Sequence, residues 1–161
     1  MRKIAVVTGA TSGIGQATAI KLAENGYDLV ITGRRAERLS ELEEKLRKIG
    51  ADVLSLCFDV RSFEQVKDNL GNLSGKWSDI DVLVNNAGGA LGKEPIQDGS
   101  IEDWDTMIDT NVKGLLYVTK TLLPKMCQNH KGHVVNLCSI AGKQVYGEGN
   151  VYCASKHAVD A

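Results

Sequence analysis

Tyr152 and Lys156 lie four residues apart in the stretch Val151-Tyr152-Cys153-Ala154-Ser155-Lys156. On a helix, residues i and i+4 share a face, so the phenol and the ammonium become neighbours. A free tyrosine titrates near 10, too high to pass its proton readily at neutral pH. A fixed positive charge nearby favours the phenolate and lowers that value. A lowering of about three units corresponds to roughly 4 kcal/mol of differential interaction. One close ammonium in a dry cleft, helped by the charge of a cofactor, is suited to that task. The same spacing also fits an ordinary solvated helix face, so the elements around the pair must decide between the two.

Those elements alternate between strand and helix from the first residues. Ile4 to Val7, Leu29 to Thr32, Val53 to Leu56, Val82 to Val84 and Val134 to Leu137 read as five short apolar strands. Helices are expected at about Ile14 to Glu24, Ala36 to Ile49, after Ser62, from Ile101 to Gln128, and around Tyr152. The Ala36–Ile49 helix turns Leu39, Leu42, Leu46 and Ile49 inward, and Gly50 is its expected C-terminal cap. Its outer face pairs Glu41 with Lys45, Glu43 with Arg47 and Glu44 with Lys48, each acid four residues before its base. Ser62 with Gln65 and Ser100 with Asp103 are capping-pair patterns, and Pro124 is expected to kink the long helix. Unbroken apolar strands separated by helices imply an α/β fold: a doubly wound parallel sheet of Rossmann type with helices on both faces. With no linker, repeat or low-complexity tract, residues 1–161 read as a single domain.

The turn after the first strand is Gly9-Ala10-Thr11-Ser12-Gly13-Ile14-Gly15, and it opens the first helix. That is the context a dinucleotide turn requires: glycines admit the pyrophosphate, and the helix N-terminus supplies amide donors and partial positive charge. The second strand ends in Gly33-Arg34-Arg35, where NAD binders usually carry an acid for the ribose 2'-hydroxyl. Two guanidiniums there can clamp a 2'-phosphate, which predicts NADP(H) over NAD(H). The alternative is that one arginine merely caps or solvates the next helix. Glu37, the nearest acid, lies inside that helix.

Composition narrows the class. The chain is 43% hydrophobic and 24% charged, enough to build a core, and its net charge of -1 argues against nonspecific binding to nucleic acid or anionic membranes. The apolar run at Ile4 to Val7 is too short for a signal peptide, and no stretch is long enough to span a bilayer, so a cytoplasmic location is expected. Cys57, Cys127, Cys138 and Cys153 show no Cys-x-x-Cys spacing and are expected as reduced, buried thiols. His130, His133 and His157 make no metal-ligand spacing.

Taken in order along the chain, these segments resemble the short-chain dehydrogenase/reductase family over essentially all 161 residues. Thr8 to Gly15 resembles the family's cofactor turn, Asp59-Val60 the pair that meets the adenine ring, and Asn85-Asn86-Ala87-Gly88 the motif that lines the cofactor cleft. Asn111, Ser139, Tyr152 and Lys156 fall where the catalytic tetrad is expected. Within the family the closest likeness is to NADP-dependent 3-hydroxy acid dehydrogenases that oxidise serine or allo-threonine. It is carried by Asn85 to Gly92, Glu102 to Asn111 and Gly149 to Tyr152.

The resemblance implies that Tyr152 is general acid in carbonyl reduction and general base in alcohol oxidation. Lys156 would lower its pKa and hold the nicotinamide ribose, Ser139 would hydrogen-bond the substrate oxygen, and Asn111 would steady a water leading to Lys156. Plainer roles stay open: a loop hydroxyl satisfying backbone groups for Ser139, and a helix–helix hydrogen bond for Asn111. Cys138 and Cys153 flank Ser139 and Tyr152 without an obvious base partner, so packing is expected of them. His157 is expected to be structural, and Tyr146, Glu148 and Asn150 are candidates for touching substrate.

Members of the family continue beyond the Tyr152 helix through further strands and a substrate-covering loop. The resemblance therefore implies an N-terminal fragment lacking the C-terminal strands, with the fifth strand left as an exposed edge. The expected activity is hydride exchange between NADP(H) and a hydroxy acid or carbonyl substrate. A 3-oxoacyl or other carbonyl reductase is the alternative within the family, and an inactive nucleotide-binding module the alternative from another class. The full-length protein is expected to be a homo-oligomer, dimer or tetramer.

Overall fold

Five strands form one all-parallel sheet in the order β3-β2-β1-β4-β5, in the computed structural model, which describes residues 2–161. They are β1 (Lys3–Val7), β2 (Tyr27–Gly33), β3 (Val53–Cys57), β4 (Val82–Asn85) and β5 (His133–Asn136). The helices are α1 (Gly13–Glu24), α2 (Ala36–Lys48), α3 (Phe63–Leu70), α4 (Ile101–Ile108), α5 (Leu115–Gln128) and α6 (Asn150–Asp160). This is the Rossmann-type α/β architecture.

Alternation along the strands builds two cores. Ala5, Val7, Leu29, Ile31, Val53 and Val84 face one side, against Ala19 and Ala23 of α1 and Leu39, Leu42 and Leu46 of α2. Ile4, Val6, Val30 and Leu83 face the other, against Val66 and Leu70 of α3 and Val118, Leu122 and Met126 of α5. Each fully buried Leu or Val contributes about 1.5–3 kcal/mol relative to exposure. The sheet is thus apolar on both faces, as parallel strands require.

Several local expectations need correction. Helix α2 stops at Lys48, and Ile49 lies 38% exposed instead of inside. Gly50 does follow as the left-handed residue that ends such a helix, at φ +92°. Of the charged pairs on its outer face, Glu43–Arg47 closes at 2.7 Å. Ser62 caps α3 by accepting from the Gln65 amide at 3.3 Å. The reciprocal half of the capping box is absent, because Gln65 Oε1 accepts from the Asp59 amide at 3.0 Å. Cys57 and Cys127 are exposed, the first at the end of edge strand β3 and the second in the last turn of α5; Cys153 alone of the four is buried, and all four are free thiols.

The largest departure lies in the long helix. Between α4 and α5 the chain widens into a π turn over Asp109–Gly114, with Asn111 buried inside it. Such turns accommodate an extra residue and are often found at functional sites. Pro124 lies inside α5. Among the described residues strand β5 pairs only with β4, and its side chains are largely exposed. No helix among the described residues is long and apolar enough to cross a membrane.

Candidate active site

Strand order reverses between β1 and β4, and the loops leaving their C-terminal ends diverge there. In open α/β sheets this is where ligands bind. A cleft of about 540 Å³ occupies the position, lined at one end by Gly9, Thr11, Ser12, Gly13 and Ile14 and at the other by Tyr152 and Lys156. Arg34, Arg35, Asp59, Val60, Ala87 and Gly88 line it between them.

The floor is built by close backbone approach. A Cβ on Gly9 would sit 2.8 Å from the Ala87 Cα, and one on Gly15 would sit 2.5 Å from the Gly9 carbonyl. Gly15 is buried behind the cleft and contributes by letting the turn close. The buried Thr8 hydroxyl accepts from the amides of Asn86 and Ala87 at 3.1 and 3.0 Å. The Asn86 side chain donates to the carbonyls of Thr8 and Gly9 at 2.9 and 3.1 Å. The turn after β1 and the loop after β4 are thereby tied into one rigid surface. At the mouth, Ser12 precedes α1 without capping it through its side chain, which leaves first-turn amides for an anion.

Both arginines lie at this end. The Arg35 guanidinium donates to Thr11 Oγ1 at 2.7 and 3.2 Å and to Ser12 Oγ at 2.9 Å, so its charge lies over the glycine turn. It makes no side-chain cap to α2. Arg34 is exposed and stands 3.8 Å from the Asp59 carboxylate. Burial works against the Asp59 charge, but hydrogen bonds from the side chain and amide of Arg61, with the Arg61 and Arg34 charges, hold its carboxyl below the usual carboxylate range. The turn, the spare amides and the two guanidiniums fit a dinucleotide with an additional phosphate.

At the opposite end, Tyr152 and Lys156 sit one turn apart on α6, and both face the cleft. Tyr152 is half-buried. Lys156 is only 7% exposed, and its Nζ donates to the Leu137 carbonyl at 2.8 Å. Burial pushes the Lys156 ammonium below its ordinary value, partly opposed by the neighbouring Cys138. Cys138 lines the cleft and places its Sγ 3.2 Å from the Lys156 carbonyl. Gly88 lies against both Asn111 and Lys156: a Cβ there would be 3.0 Å from Asn111 Oδ1 and 3.6 Å from Lys156 Nζ.

Other residues marked by the sequence lie just outside the lining. Asn111 accepts from the Gly89 amide and donates to the Gly89 carbonyl, both at 2.9 Å, and donates to Ser155 Oγ of α6 at 2.9 Å. It thus makes the helix–helix hydrogen bond that its position allowed. Ser139 accepts from the Ala141 amide at 3.2 Å and caps a short turn. Asn85 points away from the cleft, donating to Thr119 of α5 and Asn136 of β5 at 2.9 Å each. Thr8 and Asn86 belong to two of the motifs that carry the resemblance; Ser155 and the Leu137 carbonyl are not marked by the sequence.

A family model described as short chain dehydrogenase matches residues 3–161. The chain belongs to the short-chain dehydrogenase family. Among the curated proteins it matches, the NADP-dependent 3-hydroxy acid dehydrogenase YdfG of Salmonella typhi is 49% identical over 153 residues, 95% of this chain and 60% of that protein. The serine 3-dehydrogenase of Rhizobium radiobacter is 46% identical over 151 residues, 94% of this chain and 59% of that one. A solved structure, the closed form of a serine dehydrogenase complexed with NADP+, superposes with a TM-score of 0.90 at 46% identity, covering 97% of this chain and 62% of that one. The chain therefore spans about 60% of the length of the curated relatives it matches.

Proposed function

We propose that residues 1–161 form a single NADP(H)-binding domain carrying the proton-transfer residues of a dehydrogenase that acts on small 3-hydroxy acids. The observation that carries this reading is Lys156, buried beside Tyr152 at one end of a cleft whose other end is held by Arg34 and Arg35. The names of the relatives, NADP-dependent 3-hydroxy acid dehydrogenase and serine 3-dehydrogenase, support the substrate class.

Gly9, Thr11, Ser12, Gly13 and Ile14 would hold the pyrophosphate, Arg34 and Arg35 the 2'-phosphate, and Asp59 with Val60 the adenine side. Ala87 and Gly88 would form the wall beside the nicotinamide ribose. Bound NADP(H) supplies or accepts the hydride. In reduction Tyr152 gives its phenolic proton to the carbonyl oxygen, and in oxidation it takes the proton of the substrate hydroxyl. Lys156 supplies a fixed cation one turn away, the charge that favours a phenolate. Ser139 and Asn111 complete the tetrad, Ser139 by a hydrogen bond to the substrate oxygen and Asn111 through its hold on α6.

The cofactor assignment is tested by comparing kcat/KM for NADPH and NADH in the complete protein. NADPH is expected to be preferred. Replacing both Arg34 and Arg35 by alanine is expected to weaken NADPH binding by about 10- to 100-fold, the size of one or two lost charge-assisted contacts, and to leave NADH nearly unchanged. Preference for NADH in the wild type overturns the assignment.

A further inference from the structure

Ser155 is fully buried, one residue before Lys156 and three after Tyr152. Its hydroxyl donates to the Tyr152 backbone carbonyl at 2.8 Å and receives a hydrogen bond from Asn111 Nδ2 at 2.9 Å. A hydroxyl has one proton, so once that proton is on the Tyr152 carbonyl the Asn111 amide nitrogen must be the donor. The Gly89 backbone enforces the same orientation: its amide requires Asn111 Oδ1, which turns Nδ2 towards Gly89 O and Ser155. The contacts therefore run without a break from the Gly89 loop, which lines the cleft, through Asn111 and Ser155 to the first turn of α6.

Most of a helix's stability in a folded protein comes from tertiary packing, so the contacts that α6 makes with its neighbours aim it. Lys156 is held by its head on the Leu137 carbonyl, and its own carbonyl is met by Cys138. Neither contact reaches the Tyr152 turn. The Ser155–Asn111 bond does, and the π turn is the segment that carries Asn111 to it.

We infer that Ser155 is a positioning residue: its hydroxyl locks the Tyr152 turn of α6 to the π turn, and so sets where the phenol and the ammonium stand in the cleft. This rests on the reading of Tyr152 and Lys156 as the proton-transfer pair.

In the complete protein, Ser155→Ala is expected to lower kcat by about 10- to 100-fold, the effect of a misplacement near 1 Å, with the KM for NADP(H) within about twofold of wild type. The pH–rate profile shifts with it, and Ser155→Thr, which keeps the hydroxyl, recovers most of the rate. Adding Asn111→Ala to Ser155→Ala costs little beyond the larger single loss, because both break one chain of contacts. If Ser155→Ala does not fold, Ser155→Cys carries the test, since its thiol is a weak donor of similar shape; several-fold loss of kcat at constant KM is expected. Full kcat with an unmoved pH profile, losses that only follow the folded fraction, or additive losses in the double variant overturn the inference. Tyr152→Phe separates the two levels. Activity in that variant removes the proton-transfer reading itself, whereas an inactive Tyr152→Phe beside a fully active Ser155→Ala removes only the role of Ser155.

Discussion

Tyr152→Phe is expected to lower kcat by about 10²- to 10⁴-fold, the range of a lost general acid–base group. The dissociation constant for NADP(H) should stay within about twofold, because that substitution removes one oxygen and keeps the ring. The ring lines the cleft on α6, and among the described residues its hydroxyl makes no hydrogen bond to the protein. Its removal strips no structural partner, so stability should change by no more than about 0.5 kcal/mol. Steady-state kinetics and cofactor titration on the complete protein read both quantities. A variant that keeps more than about a tenth of the wild-type rate assigns the proton to another group.

Lys156→Met separates the chemistry of the ammonium from its cost. The rate is expected to fall by about 10²- to 10³-fold, as when one preorganised electrostatic group is removed. Stability carries a second signature. Burial lowers the Lys156 pKa in the folded chain below the ordinary 10.5. Between those two values the unfolded chain binds more protons than the folded one, so wild-type stability rises with pH through that window. Below it the cost of the buried charge is constant, and above it the cost has vanished. The Met variant lacks this rise. In the cofactor-free protein, the difference in melting temperature should therefore move in favour of the wild type as pH is raised from neutral towards 10.5. A difference that stays flat contradicts a buried cation at Lys156.

Much of this architecture can be read in the sequence because each strand is a short apolar run with its own turn. Ile4 to Val7 and Leu29 to Thr32 can only be buried on both faces, and that forces helices onto each side. The glycine turn and the Tyr152–Lys156 spacing are local patterns, and the fold brings both to one cleft. What stayed hidden depends on partners far along the chain. Nothing near Asn111 marks a π turn; its stability comes from Gly89 and Ser155, 22 and 44 residues away. The anchor of Lys156 is a backbone carbonyl, which no residue type reveals. Gln65 looked like a capping partner but found Asp59 instead. The direction of Asn85 was recoverable: strand parity puts it on the face of Leu83, towards α5, and leaves Asn86 to tie the glycine turn.

In the proposed function this cleft pairs a proton-transfer centre with NADP(H) and acts on 3-hydroxy acids. The most direct measurement follows the absorbance of NADPH when the complete protein is given NADP+ with serine, allo-threonine and other small 3-hydroxy acids. Formation of NADPH with at least one of them is the predicted result. Tight binding of NADP(H) with no turnover of any hydroxy acid, and none of the corresponding carbonyl compounds in reverse, would contradict it and leave a nucleotide-binding module without catalysis.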